Sequence, residues 1–169
     1  VLPKKCEFVK WELSTFVESN IDVIDNISQW KYHYADSAPS GNWKGIDYDD
    51  STWEVGYGRM GYNSNKDKEK DYDTKIPYVA GDSSKYITAY FRKVFNIEDT
   101  SEVKNITADI TYDDGVAIYV NGKEITRFNL PDDSLHKELK YSDTTISYYD
   151  DLKDEIIIKT SLLKNGENI

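Results

Sequence analysis

Few residues in this chain have the type and spacing that bond-making chemistry needs. His33 and His136 are its two histidines, and neither stands with a serine or cysteine in a recognisable nucleophile motif such as G-x-S-x-G. Cys6 is the single cysteine, so it forms no intramolecular disulfide, and no Cys-His context surrounds it. Adjacent carboxylates recur at Asp49-Asp50, Asp113-Asp114, Asp132-Asp133 and Asp150-Asp151. That abundance singles out no pair as an acid–base dyad. The expectation is a protein that is not an enzyme.

Cation binding comes next. Calcium takes about six to eight oxygens from carboxylates, backbone carbonyls and asparagine. Asp49, Asp50, Asp113 and Asp114 lie in turn-like stretches where such oxygens could converge. There is no D-x-D-x-D-G loop, however, and acidic turns more often cap backbone N–H groups as Asx-turns. Capping is the first expectation for these four residues and a structural Ca2+ the second. One cysteine and two distant histidines make a transition-metal site less fitting still.

Binding is the chemistry the residues suit best. Trp43, Trp53, Tyr57 and Tyr62 occur in or beside glycine-rich loops. Flat aromatic faces stack on the C–H faces of sugar rings, while nearby Asp, Asn and Arg hydrogen-bond hydroxyls. The candidate ligand-binding set is Trp43, Tyr57, Arg59 and Tyr62, at one end of the domain. Trp53 is expected to be a structural plug. For Trp43, Tyr57 and Tyr62 the plug and the ligand contact stand equally open. Arg92 lies within an apolar strand, so if buried it must be paired, with Asp50, Asp113 or Asp114 as partner.

Strands must position these residues. Residues 106–128 read as three strands joined by two turns, with Ile106, Ala108, Ile110 and Tyr112 alternating against Thr107, Asp109 and Thr111. Asp113-Asp114-Gly115 is read as a turn with Gly115 at positive φ. Asn121-Gly122 is a type I′ hairpin signal. Residues 30–34 alternate cleanly, residues 86–97 read as one long strand covered on both faces, and residues 155–159 as a buried strand. A short helix near residues 15–20 is an alternative to strand. Residues 63–74 are polar, almost without hydrophobes, and read as a mobile surface loop. Residues 141–149 read as a weak strand or connection.

Composition agrees. The chain's 169 residues suit one domain with its own core. Fourteen Tyr and four Trp against one Met favour strands and binding surfaces over helix packing. A formal net charge of −10 argues against nucleic acid or an anionic membrane as partner. No apolar run approaches the roughly 18 residues that span a bilayer. Val1 in place of an initiator Met suggests a processed chain or a piece of a longer one.

The order Trp30-x-Tyr32, Trp43, Tyr48-Asp49-Asp50-Ser51-x-Trp53, Gly56 to Gly61-Tyr62, Tyr90-Phe91-Arg92-Lys93-x-Phe95, Tyr112-Asp113-Asp114-Gly115 and Tyr119-Val120-Asn121-Gly122-Lys123-Glu124 resembles the galactose-binding-like jelly roll. It is most similar to the accessory modules of large secreted bacterial proteins that carry phosphoesterase, spore-coat-H-type kinase or anchoring domains. It is more distantly similar to the β-sandwich of β-galactosidase-type glycoside hydrolases. The resemblance spans residues 28–131 and leaves residues 1–27 outside. It implies an antiparallel jelly-roll β-sandwich and a non-catalytic role in a secreted or surface multidomain protein. The ligand it implies is a carbohydrate, the alternatives being a protein partner, as in a cohesin-like receptor, or a structural spacer. In that family the approach matched by residues 162–169 leads into another core strand. The chain is therefore expected to continue past Ile169, with pairing of residues 6–13 beside residues 155–159 as the next alternative.

Overall fold

The computed structural model describes residues 5–15, 20–35, 37–62, 72–76, 88–131 and 152–169, with the backbone alone at residues 5–10, 13–15, 20 and 21. The strands are β1 (Lys5–Thr15), β2 (Asn20–Ile24), β3 (Gln29–Tyr34), β4 (Glu54–Tyr57), β5 (Arg59–Gly61), β6 (Thr74–Lys75) and β7 (Ala89–Arg92). They continue as β8 (Phe95–Ile97), β9 (Val103–Asp113), β10 (Val116–Val120), β11 (Lys123–Phe128), β12 (Leu152–Ile158) and β13 (Gly166–Asn168). The helical segments among the described residues are short 3-10 turns such as Thr100–Glu102 and Thr160–Leu162.

The larger sheet runs β12-β9-β1-β5-β6, and β2 also pairs with β1. Strand β1 lies antiparallel to β9 along its length, while its other edge takes β5 at Lys5 to Glu7 and β2 at Trp11 to Ser14. All of these pairings are antiparallel except β5 with β6. Against this sheet lie the three-stranded β4-β3-β7, the hairpin β10-β11 and the pair β13-β8. Ile106, Ala108, Ile110 and Tyr112 of β9 face inward, and Trp30, Tyr32, Phe95, Ile97, Ile118, Val120, Ile156 and Ile158 meet them in one core. The chain is an all-β, antiparallel sandwich. The alternation that the sequence displays at residues 106–112 is the inward–outward alternation of β9.

Several elements depart from the sequence expectation. Strand β9 pairs with β1 and β12 rather than with β10, so residues 113–115 carry the chain between sheets instead of closing a hairpin. Gly115 does not take a positive φ, and the Asp113–Asp114 peptide is cis. Residues 86–97 are not one strand. Within them β7 joins the small sheet and β8 pairs with β13, the break falling at Lys93 and at Val94, which is exposed. Strand β12 buries Ile156 and Ile158 but leaves Ile157 63% exposed, so one face only is covered. Residues 6–13 pair beside β9 and not beside β12. The expected loop at residues 63–74 ends in order, since Thr74 belongs to β6; residues 63–71 lie outside the described residues. So do residues 16–19 of the helix alternative and residues 141–149.

The Asn121-Gly122 turn is as expected, with φ of 50° and 84° at its two central residues and Val120 opposite Lys123, the pattern of type I′. Asn121 also clamps the C-terminal segment. Its amide N–H donates to the Ile169 carbonyl at 2.8 Å, and its Oδ1 accepts from Ile169 N–H at 3.1 Å. Its Nδ2 donates to the Leu162 carbonyl and to Asn168 Oδ1, both at 2.8 Å. Asn168, fully buried, accepts from Lys164 N–H at 3.0 Å and donates to the carbonyls of Lys164 and Gly166 at 2.8 and 2.9 Å. Every polar atom of the Asn168 side chain is thus matched, the condition on which a buried amide is tolerated.

Tyr112 stacks on Phe128, ring centroids 5.8 Å apart, and its hydroxyl donates to Asp154 Oδ2 at 2.6 Å. Burial first, and then the bond to Asp154, push its pKa well above the usual phenol range. Burial, and after it the charge of Glu54, raise Tyr32 as well.

Two outcomes follow from these contacts. Asn168→Ala should cost about 2–4 kcal/mol, because it empties a buried position and takes the partner from the Lys164 N–H, the Lys164 and Gly166 carbonyls and the Asn121 amide. Asn168→Asp should be no better at neutral pH, since an oxygen would then face two carbonyls. An unchanged urea midpoint for Asn168→Ala would show the clamp to be redundant. For the phenols, folding holds the neutral form. Their contribution is complete below the unfolded tyrosine pKa of about 10 and is lost as pH rises above it. Denaturation midpoints measured across that range should fall, and Tyr112→Phe should flatten the fall while costing about 1–2 kcal/mol for the lost bond.

Candidate aromatic binding site

The site is built on the outer face of the small sheet. Because Trp30 and Tyr32 of β3 point into the core, 6% and 8% exposed, the alternating residues Gln29, Lys31 and His33 point outward. Register places Tyr57 of β4 opposite Gln29, Arg92 of β7 opposite Lys31, and Tyr90 opposite His33. Directly opposed residues share a face, so Tyr57, Arg92 and Tyr90 belong to the outer side too.

The segment between β3 and β4 folds over part of this face. It is a run of turns, with Gly45 N–H to the Asn42 carbonyl at 3.0 Å, Tyr48 to Gly45 at 3.3 Å and Trp53 to Asp50 at 3.0 Å. Asp49 Oδ1 accepts from Ser51 N–H at 3.0 Å, an Asx-turn. Hydrogen bonds from the Ser51 hydroxyl and then its amide hold the Asp49 carboxyl below the usual range. Arg92 lies under these turns with its side chain only 2% exposed. Its Nε donates to Asp50 Oδ2 at 2.8 Å, and its Nη1 donates to the carbonyls of Trp43 and of Gly45, the latter at 3.0 Å. The guanidinium also lies 5.1 Å from the centre of the Tyr48 ring and 6.0 Å from that of Trp53. A buried cation is tolerable here because charge, carbonyls and ring faces all receive it.

A row of rings results. Tyr48 meets Trp53 at 5.8 Å, Trp53 meets His33 at 5.3 Å, and His33 meets Tyr90 at 6.2 Å. Trp43 continues it, 5.0 Å from Tyr90 and 5.6 Å from Tyr119 of β10. Trp53 is buried, at 6% exposure, and the other five are half-buried. Lys44 closes the end of the row, its Nζ 4.9 Å from the Tyr119 ring centre and 5.8 Å from that of Trp43.

The sequence candidates divide. Trp43 sits in the row. Tyr57 is 51% exposed on the same outer face at strand β4, its N–H donating to Thr74 Oγ1 at 2.9 Å. Arg59 N–H donates to Asp73 Oδ2 at 2.9 Å, and a Cβ on Gly58 (φ +62) would stand 2.4 Å from that same carboxylate oxygen, which is why a glycine precedes it. Tyr62 is buried, at 6% exposure. Trp53 is the structural plug that the sequence suggests, and Asp50 is the partner Arg92 requires. His33, Tyr90 and Tyr119 were missed as ligand candidates. The alternation of residues 30–34, read through to its outward positions, is the signal that points to His33.

For a cation the four acidic candidates are distributed differently. Asp49 caps a turn, and Asp50 is paired with Arg92. Asp113 and Asp114 are 6% and 0% exposed, and the Asp114 carbonyl accepts from Asn129 Nδ2 at 2.8 Å. Among the described residues no three His, Cys, Asp or Glu side chains come together as a metal site. No helix there is long and apolar enough to cross a membrane. Comparison with protein-family models, curated proteins and solved structures finds no match.

Arg92→Met should destabilise the fold by about 3–5 kcal/mol, because Asp50 and the loop carbonyls lose a buried cation. It should also blunt the near-UV circular dichroism of the surrounding rings. A stability within about 0.5 kcal/mol of the parent would mean that the loop is held by ring packing alone.

Proposed function

We propose that this chain is a non-catalytic, carbohydrate-binding module of the galactose-binding-like jelly-roll type, working within a secreted or surface multidomain protein. The observation that carries the reading is the row of rings on an outer sheet face, five of six half-buried, with Trp43 between Tyr90 and Tyr119 near the end that Lys44 closes and the loop that exposes Asp47 and Asp49 beside it. Stacking surface with a few fixed polar groups is what a sugar-binding face requires. Of the original candidates, Trp43 and Tyr57 carry the proposal, since both lie on or beside that face. Arg59, which opens β5 in the larger sheet, and the buried Tyr62 do not carry it.

A second reading has its own support. Ile27, Val55 and Tyr57 are 73%, 51% and 51% exposed, and Val55 and Tyr57 project from the same side of β4. Exposed apolar side chains on an edge strand suit a protein partner, which makes a protein–protein interaction module the alternative.

A glycan array probed with the parent chain and with Trp43→Ala separates the two. Specific glycan signals that fall about tenfold or more in Trp43→Ala, with the fold intact by thermal denaturation, support the first reading. No glycan signal, together with a single protein partner lost in Tyr57→Asp, supports the second.

A further inference from the structure

Resting on the carbohydrate reading, we propose that one uncharged sugar unit is recognised at the Tyr119 end of the face, by Glu124 held in place by Arg127. The other end of the row is already committed. Trp53 is buried, and the Arg92 guanidinium lies 5.1 Å from the Tyr48 ring centre and 6.0 Å from that of Trp53. At Tyr119 the surroundings change from rings to fixed polar groups. Ile118 and Val120 of β10 are buried, so Tyr119 between them points away from the core. Register sets Glu124 of β11 opposite Tyr119 and Arg127 opposite Ala117, which puts both charged side chains on that same outer face. The Tyr119 hydroxyl donates to Glu124 Oε2 at 3.2 Å, Arg127 Nη2 donates to the same oxygen at 2.7 Å, and Arg127 Nε donates to Oε1. Arg127 Nη1 donates to the Pro131 carbonyl at 3.0 Å, so the fork is held at its far side too.

A carboxylate accepts at about four lone-pair positions. Arg127 and Tyr119 take three of those on Glu124, and no described residue takes the fourth, on Oε1. The Glu124 side chain is 27% exposed, beside the half-buried rings of Trp43 and Tyr119. That position suits a hydroxyl donated by a ligand. A sugar stacked by its C–H face on the exposed part of the Trp43–Tyr119 pair would direct one hydroxyl to Glu124 Oε1. Hydrogen bonds to an ionised acceptor are roughly twice as strong as neutral ones, and the bidentate hold of Arg127 fixes the direction from which Glu124 accepts. Charge sets the class. Glu124 selects a donor, whereas a uronate or sulfated sugar would bring an anion against it on a chain of net charge −10. Glu124 is thus the specificity-determining contact, and Arg127 is a positioning residue that acts through it.

The test titrates the parent chain with methyl glycosides of glucose, galactose, mannose and N-acetylglucosamine, with the monodeoxy analogues of each, and with glucuronate and galacturonate. The terminal sugar of any glycan positive on the array joins the series. Removing one particular hydroxyl should weaken binding about tenfold or more, about 1.4 kcal/mol. The other monodeoxy analogues should bind nearly as well, because only the first leaves Glu124 unmatched. Glu124→Gln and Arg127→Lys, each checked for fold by thermal denaturation, should shrink that ratio to about threefold or less. A merely structural pair would alter stability and leave the ratio where it was. The deoxy series on the parent chain needs no variant, so it decides the matter even where a substitution unfolds the protein. Equal affinity for every monodeoxy analogue, an unchanged ratio in folded Glu124→Gln, or a preference for the uronates overturns the inference with the carbohydrate reading intact. Absence of any glycan signal removes the carbohydrate reading itself, and this inference with it.

Discussion

One buried guanidinium organises the face on which the functional proposal depends. Arg92 is brought by a strand to the outer side of a small sheet, where an uncompensated cation would be untenable. Asp50 supplies the counter-charge from the loop between β3 and β4, and two carbonyls of the same loop fill further donor positions. A segment rich in turns, with little apolar content of its own, is thereby tied to a rigid sheet. Trp43 is tied to the sheet by its own carbonyl on Arg92, and Trp53 through Asp50, whose carbonyl accepts from Trp53 N–H and whose carboxylate pairs with the same guanidinium. Arginine suits this position better than lysine would, since its planar fork can serve a carboxylate and carbonyls at once.

The other organising device lies on the opposite branch of the chain. The two-residue turn at Asn121-Gly122 is made by backbone conformation, but the Asn121 side chain reaches beyond its hairpin to Leu162, Asn168 and Ile169. The same hairpin bears Tyr119, which touches Trp43. A tight local turn thus joins the C-terminal strand to the aromatic row. Asn168 is buried, and the polar groups around it are mutually matched, which gives the connection a single geometry rather than a family of similar ones.

The aromatic side chains of the row have structural work that any ligand proposed for them must leave in place. Trp53 is a structural ring, packed on Tyr48, His33 and Arg92. The other five rings of the row are half-buried, each packed on its neighbours and leaving part of its surface to solvent.

Local pattern in the sequence was enough to define the class of fold. The alternation from Ile106 to Tyr112, the Asn121-Gly122 turn and the aromatic strand at residues 30–34 are all decided within a few residues, by pleat geometry and by the positive φ that Asn and Gly accept. The demand that Arg92 be paired was legible too, because burying a cation has a cost that any fold must meet. Which carboxylate would meet it was not legible, since Asp50 lies 42 positions away and Asp113 and Asp114 answered the same description. Sheet partnership was equally hidden. Residues 113–115 read as a hairpin turn, yet they cross between layers, because β9 finds better partners in β1 and β12 than in its sequence neighbour. Trp43, Tyr57 and Tyr62 looked alike in sequence, each aromatic beside glycine. Tertiary packing separated them, placing one in a row of rings, one on an exposed face and one in the core, because burial depends on what the rest of the chain brings to each side of a strand.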